Sequence, residues 1–334
     1  MGNNGEQINS LQQKIRSQRT AVISLSVVVV ALLVVNILQF MECRVATSCK
    51  YNTKDEIAKY PLIDPAREYI AQEDAVTNLQ SLRDYLWKVA GEEKDVDVSI
   101  YYEFLNTGAN ISINPDMRYY SASLAKLPVA MVVMKKVEAG EWLMDNELVL
   151  FQEDLDADSG ELYRHAPVGT RFTIEELVKA ALEESDNTAH KILLRNLTLD
   201  EINGLIDSVG LYDLFDDNQE VTAKEYSRIL RALYTASYLR REFSQQLLEW
   251  LTQVEFQGFL AQGIPEGVPF ARKYGQHVVR YIYVESGIVY YPKRPYTLTV
   301  MIKGKLTDAA ENAKKARELM AEISREAYNY AQGI

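Results

Sequence analysis

A serine and a lysine three residues apart, Ser123 and Lys126, are the side chains of this sequence best suited to covalent chemistry. A serine hydroxyl is a poor nucleophile unless a base lies within hydrogen-bond reach. Residues i and i+3 share one face of a helix, so the Lys126 amine can reach the Ser123 hydroxyl. To act as a base the amine must be neutral part of the time, and burial and a neighbouring cation both lower its pKa. The pair predicts acyl transfer through a serine ester.

Two further motifs follow in the chain, Ser185-Asp186-Asn187 and Lys273-Tyr274-Gly275. Each is a weak signal alone, because Asp and Asn often end and begin helices and a lysine before a turn is commonly solvated. Their order after Ser123 favours one cleft that gathers all three motifs. We expect Lys273 to be the cation that lowers the pKa of Lys126.

Two backbone N–H groups are expected to stabilise the oxyanion of such a reaction, those of Ser123 and Gln276. The three histidines, His165, His190 and His277, have no GxSxG elbow or adjacent acid, so a Ser-His-Asp triad is not favoured. Zinc-finger, HExxH and P-loop spacings do not occur in the sequence. We therefore predict neither a metal nor an organic cofactor.

Hydrophobic periodicity predicts the elements that position these residues. An amphipathic helix is expected over 73–89, a β-hairpin over 96–113 with its turn at Asn106-Thr107-Gly108, and a buried helix from Ser123 to about Gly140. Strands are expected over 278–291 and 296–302, and a helix over 308–332. Three capping boxes begin helices between about 170 and 250, namely Thr173 with Glu176, Thr198 with Glu201, and Thr222 with Glu225.

Strands near both ends with helices between them predict an α+β fold. We expect an antiparallel sheet built from N- and C-terminal segments and flanked by helices, with an inserted all-α lobe. The formal net charge is −11, which disfavours nucleic acid as a partner, because phosphate binding needs a basic face.

The segment from Ala21 to Phe40 has no charged residue, and its length is enough for a helix to cross a hydrocarbon core of roughly 30 Å. Basic residues precede it and no AxA-type cleavage site follows, which favours an uncleaved single-pass anchor. We predict a cytoplasmic tail over 1–20, a transmembrane helix over 21–40, a mobile stalk over 41–72 and an extracytoplasmic catalytic domain over 73–334. Cys43 and Cys49 lie in the stalk, where a disulfide, lipidation and free thiols all remain open.

From about Glu73 onward the sequence resembles the class A β-lactamases and related penicillin-recognising serine hydrolases. The segments 106–126, 167–194 and 287–304 resemble that family's hairpin leading to the nucleophile, its helix leading into SDN, and its last two strands. The resemblance implies the β-lactamase/transpeptidase-like fold. It also implies site roles: Ser123 as the acylated nucleophile, Lys126 as its base, Ser185 as a proton shuttle to the leaving nitrogen, Asn187 as a ligand of the substrate amide, and Lys273 as an electrostatic and carboxylate-binding residue.

Two departures from the family pattern affect the expected function. Tyr274 replaces a small hydroxyl residue and puts one hydrogen bond to the substrate carboxylate in doubt. We predict Tyr274, Gly275 and Gln276 as further substrate-binding residues, with Arg280 as a compensating cation or a surface strand residue. The family's deacylating ExxLN glutamate is missing between Asn187 and Lys273, so the acyl-enzyme should form faster than it breaks down.

Three functions remain open from the sequence. The first is hydrolysis of β-lactams, and a D-alanyl-D-alanine peptidase or transpeptidase acting on peptidoglycan stem peptides is its close alternative. The second is a non-catalytic cell-wall binding module that has lost turnover. The third is an anchor or partner protein that acts through the span and stalk. Glu220 is the nearest carboxylate to the shortened loop, where it more naturally supports the turn than a hydrolytic water.

Overall fold

The computed structural model describes residues 59–63, 78–211, 214 and 218–333, which belong to one unit spanning residues 56–334. The strands are β1 (Val96–Phe104), β2 (Ala109–Ile113), β3 (Tyr119–Tyr120), β4 (Glu147–Val149), β5 (Arg171–Thr173), β6 (Glu220–Val221), β7 (Phe270–His277), β8 (Ile282–Val289) and β9 (Tyr296–Gly304). The helices are α1 (Gln80–Glu92), α2 (Lys126–Glu138), α3 (Leu162–His165), α4 (Ile174–Lys179), α5 (Asn187–Arg195), α6 (Leu199–Val209), α7 (Ala223–Tyr234), α8 (Arg241–Leu251) and α9 (Ala309–Gly333).

A five-stranded antiparallel sheet joins the two ends of the described chain in the order β2-β1-β9-β8-β7. Its side chains alternate between two cores, as the period of a strand requires. One face packs on α1 and α9, and the other on the helices between β2 and β7. This is the predicted fold, an antiparallel sheet of N- and C-terminal segments with an inserted all-α lobe.

The predicted hairpin and capping boxes are confirmed. Strands β1 and β2 pair on either side of a turn in which Gly108 has φ +74°, a conformation that glycine adopts without steric cost. All three threonine caps accept a hydrogen bond from the backbone N–H of their glutamate, and each glutamate returns one to the threonine N–H. The helix predicted over 308–332 is α9, and the helix predicted over 73–89 is observed as α1, from Gln80 to Glu92.

Two strand predictions need correction. Residues 278–280 form a 3₁₀ turn rather than the start of a strand, and β8 begins only at Ile282. Strand β7 was not predicted, because Arg272 and Lys273 interrupt its apolar pattern, yet both side chains are buried. Arg280 therefore lies in a turn and not on a strand.

Residues 59–63 of the predicted stalk pack against the domain. Tyr60 and Ile63 are buried, and the Tyr60 hydroxyl donates a 2.9 Å hydrogen bond to Glu242 on α8. The expectation of a mobile stalk is therefore wrong for this segment. The predicted tail, the predicted span at 21–40 and both cysteines lie outside the described residues. Among the helices that are described, none has both the length and the apolar character to cross a bilayer.

Candidate active site

The nucleophile lies where the edge strand β7 meets the start of α2. Ser123 is in a 3₁₀ turn, Ala122–Ala125, that runs directly into α2, and its side chain is partly exposed. A Cβ atom at Gly275 on β7 would lie 2.8 Å from the Ser123 backbone nitrogen. Glycine at this position therefore lets the strand pass beside the nucleophile and its N–H group.

The Lys126 ammonium nitrogen is the centre of the site. Its Nζ lies 2.9 Å from Ser123 Oγ, 2.6 Å from the Ser185 carbonyl oxygen, 3.2 Å from Ser185 Oγ and 2.6 Å from Asn187 Oδ1. The structure thus brings together four of the predicted site residues around one atom. The contact with Ser123 has the i,i+3 geometry expected from the sequence.

Lys126 is poised to accept a proton near neutral pH. Burial lowers its pKa to about 7, against the opposing pull of the carboxylates of Asp186 and Asp156. The sequence analysis expected the charge of Lys273 to cause this shift, but burial is its cause. The repulsion instead appears at Lys273, where burial and then the Lys126 charge lower the pKa well below its ordinary value.

A strained backbone presents Ser185 to the site. Helix α4 continues as a π-helical turn over Ala180–Glu184 and ends at Ser185, whose φ of 61° is unusual for a residue with a side chain. The next residue, Asp186, caps α5 by accepting from the Ala189 N–H and also accepts from the Leu162 N–H. The Asp186 side chain is thus structural, whereas Ser185 and Asn187 face Lys126.

Asp156 is a site residue that the sequence analysis missed. Its Oδ1 accepts a 3.0 Å hydrogen bond from Asn187 Nδ2, and its Oδ2 lies 2.7 Å from Lys191 Nζ. Burial opposes ionisation of Asp156, but the bonds from Lys191, Asn187 and the Asp158 N–H outweigh it and lower the pKa to about 2. The fixed carboxylate holds the Asn187 amide so that its oxygen points to Lys126. Asp156 lies 31 residues from Asn187, and no sequence motif links them.

Lys273 and Tyr274 form the β7 side of the site. Lys273 is fully buried, and its Nζ has no hydrogen-bond partner among the described residues. Its Nζ lies 4.7 Å from the centroid of the Tyr274 ring. The Tyr274 ring stacks on Phe256 with a centroid distance of 4.3 Å, and its hydroxyl interacts with the Ser185 side chain.

The other predicted site residues lie at the rim. Gln276 follows Gly275 on β7 with an exposed side chain. The Arg280 guanidinium is exposed and lies 4.4 Å from the centroid of the Tyr120 ring, three residues before the nucleophile. Glu220 pairs with Tyr120 in a two-stranded ladder, and its carbonyl accepts a hydrogen bond from Arg118, so it supports the turn as expected.

His190 is a further titratable group beside the site. It lies on α5, three residues after Asn187, and its Nδ1 is buried without a hydrogen-bond partner in the described ranges. Burial and the charges of Lys126 and Lys273 lower its pKa to about 3, so the imidazole is neutral at physiological pH. In the part of the chain that is described, no three His, Cys, Asp or Glu residues are grouped to hold a metal ion.

Comparison of the sequence with protein-family models gives a match over residues 81–331 to a family described as the β-lactamase enzyme family. The β-lactamase VEB-1 of Pseudomonas aeruginosa is 28% identical over 91 residues, 27% of this chain and 30% of that protein. A β-lactamase of Bacillus licheniformis is 24% identical over 201 residues, 55% of this chain and 64% of that protein. The matched stretches span less than two thirds of either relative.

Solved structures show the same fold at low identity. The structure of PBP-A has a TM-score of 0.68 at 19% identity, covering 77% of this chain and 97% of that one. A β-lactamase from Sphaerobacter thermophilus has a TM-score of 0.67 at 23% identity, covering 77% and 99%. Since the family match extends over most of the chain, from α1 to α9, this protein belongs to the β-lactamase enzyme family.

Proposed function

We propose that this protein is a serine hydrolase that opens β-lactam amides through an ester on Ser123. One observation carries the proposal: the buried Lys126 amine, with a pKa of about 7, lies 2.9 Å from Ser123 Oγ. A base is most effective when its pKa is close to the working pH. A lysine retained only for packing would have no need of a neutral amine placed against a serine hydroxyl.

Acylation follows from the contacts around Lys126. The neutral amine takes the proton of Ser123 as Oγ attacks the substrate carbonyl carbon, and the carbonyl oxygen becomes an oxyanion. The N–H groups of Ser123 and Gln276 are the donors that we propose for it. When the C–N bond breaks, the leaving nitrogen takes a proton from the Ser185 hydroxyl, which is replenished from Lys126 across 3.2 Å. Lys126 is then neutral again, and the acyl group is an ester of Ser123.

Release of the acyl group needs a water and a base for it. The sequence has no ExxLN glutamate, and Glu220 serves the turn at β6. Lys126 is the one neutral base already placed beside the ester, and it must also remain available for the reverse reaction. We therefore propose that the ester hydrolyses slowly, by Lys126-activated water.

Slow release makes a peptidase or transpeptidase of peptidoglycan stem peptides the second candidate function. The fold match to PBP-A is consistent with this candidate, and a variant of PBP-A has been solved as an acyl-enzyme complex with penicillin G. We further propose that residues 21–40 anchor the protein in the cell membrane, with residues 1–20 in the cytoplasm and the catalytic domain outside it. The support for this topology is the uncharged 21–40 segment with basic residues before it.

Intact-mass spectrometry of the full-length chain, purified in detergent and mixed with penicillin G, tests the proposal. A mass increase equal to one penicillin, absent in the Ser123→Ala variant, is the expected result. An adduct that persists for hours favours the peptidase candidate, whereas an adduct that disappears as penicilloate accumulates favours a β-lactamase. If no adduct forms on the wild type at any pH between 6 and about 9, the serine chemistry is wrong and a binding module remains.

A further inference from the structure

Lys273 is a buried cation without an anion. Its side chain is fully buried, and its Nζ has no hydrogen-bond acceptor among the described residues. Such a group in a substrate cleft would normally attract a carboxylate, because a charge-assisted bond would satisfy both partners. What surrounds the ammonium group therefore decides whether a substrate carboxylate can reach it.

Tyr274 covers that group. The Lys273 Nζ lies 4.7 Å from the centroid of the Tyr274 ring, within the range of a cation–π interaction. The ring is held in place by stacking on Phe256, which itself packs edge-on against Phe259. The Tyr274 hydroxyl also interacts with Ser185 on the opposite side of the cleft. The tyrosine thus extends from β7 to Ser185 and takes the space between the two polar groups.

The surroundings of Tyr274 are acidic. The carboxylates of Glu285 and Glu255 both act on the Tyr274 phenol. On the other side of Ser185, Glu184 lies near Glu255, Asp186 and Glu161, and burial together with their charges raises its pKa. A carboxylate brought to this end of the cleft would meet the edge of a ring and several negative charges.

We infer that Tyr274 is a specificity-determining residue that selects acyl donors with a neutral or cationic group, rather than a carboxylate, beside the scissile amide. This inference rests on the proposed acylation of Ser123. The π-face of Tyr274 partly compensates the Lys273 charge, so the substrate is not required to do so. The acidic side chains near Ser185 oppose an anion by Coulomb repulsion and favour a cation.

The test uses three forms of one acyl donor with the same reacting amide. These are penicillin G as its free acid, as its neutral methyl ester and as its cationic 2-dimethylaminoethyl ester. Acylation rates of the full-length wild type are measured by intact mass. We expect the methyl ester to react at least as fast as the acid, and the cationic ester to react roughly threefold faster than the methyl ester.

Two variants separate the ring from the hydroxyl. Tyr274→Thr uncovers Lys273 and supplies a small hydroxyl, so the acid-to-methyl-ester rate ratio should rise at least tenfold. Tyr274→Phe keeps the ring and should keep the wild-type ratio. Thermal unfolding of both variants reports whether the fold is retained, and the ratio of two rates on one protein sample cancels any inactive fraction.

The outcomes distinguish this inference from the proposed function. If adducts form but the wild type prefers the free acid by tenfold or more, the inference is wrong and acylation of Ser123 stands. The same conclusion follows if Tyr274→Thr leaves the ratio unchanged. If none of the three donors acylates either the wild type or Tyr274→Thr, both the proposed function and the inference fall.

Discussion

Two neighbouring basic residues on β7, Arg272 and Lys273, are both buried but are treated differently by the fold. Arg272 lies 2.7 Å from Glu285 Oε1 and also donates to the carbonyl oxygens of Val254 and Phe256. The second oxygen of Glu285 accepts from the Leu260 N–H, so the ion pair is well supplied with partners. Lys273, facing the opposite side of the strand, has none among the described residues.

The difference separates a structural charge from a functional one. A buried charge is costly unless it is paired and hydrogen-bonded, and the Arg272–Glu285 pair meets both conditions. It also ties the loop containing Val254 to the outer edge of the sheet. Lys273 stays unpaired beside Lys126, where two amines repel each other and both have lowered pKa values. An active site that lowers pKa values in this way does so at the expense of stability.

Removing the amine of Lys126 should have the largest effect on the functional side of this comparison. We expect Lys126→Met to lower the acylation rate about 10²- to 10⁴-fold, the usual contribution of a general base. In the wild type only the neutral amine accepts the proton, so the rate should rise with pH through about 7 and then level off. Acylation rates between pH 5.5 and about 9 check both statements. A rate independent of pH in the wild type would exclude Lys126 as the base.

Breaking the structural pair should have the largest effect on stability. Glu285→Gln leaves the Arg272 charge buried without its partner, and we expect a loss of about 3 to 5 kcal/mol in the free energy of unfolding. Urea denaturation measures the loss. The matched control is the double variant Arg272→Met with Glu285→Gln, which should recover a large part of it. A loss below about 1 kcal/mol in the single variant would mean that the pair contributes no more than a surface ion pair.

The opposite sign is expected for the other residue. Lys273→Met removes a buried amine that has no partner, so we expect unfolding to cost about 1 to 3 kcal/mol more. The matched control, Lys303→Met on β9, changes an exposed lysine and should stay within about 0.5 kcal/mol of the wild type.

The advantage of Lys273→Met should depend on pH in a defined direction. The folded-state pKa of Lys273 lies below its ordinary value of 10.5, so the unfolded chain binds the extra proton between these two values. Wild-type stability should therefore rise with pH in that window, and the advantage of the methionine variant should shrink toward pH 10.5. A stability difference that is constant with pH would show that Lys273 keeps its ordinary pKa in the fold.

A smaller effect is expected at the residue that positions Asn187. Asp156→Ala removes the acceptor of the Asn187 amide, which can then turn its oxygen away from Lys126. We expect a roughly tenfold lower acylation rate with little change in stability. Asp158→Ala, at an exposed neighbouring position, is the control and should stay within about twofold. Equal rates in the two variants would assign Asp156 no positioning role.

The sequence predicted what depends on short spacing. The Ser123–Lys126 contact, the three capping boxes and the β1–β2 hairpin each need residues only a few positions apart, and the structure contains them all. Local patterns of this kind carry their own geometry. They were sufficient to place the nucleophile, its base and the overall order of elements.

Contacts between distant residues were not predicted. Strand β7 was missed because Arg272 reads as a surface residue until Glu285 is known to face it across the sheet. Asp156 was missed because its loop approaches Asn187 only after the helical lobe has packed. The cause of the Lys126 pKa shift was also wrong in the sequence analysis, since burial of a side chain cannot be obtained from spacing.

The close passage of β7 beside the nucleophile has a consequence for how this chain can vary. The Ser123 nitrogen leaves no room for a Cβ atom at Gly275, and Ala122 and Val284 crowd the same point. In a library that randomises this strand, position 275 should tolerate no replacement, whereas the adjacent position 274 is free to exchange its ring for smaller groups. Divergence of substrate preference in descendants of this protein is therefore confined to one side of a fixed pivot, and new preferences can arise there without rebuilding the nucleophile.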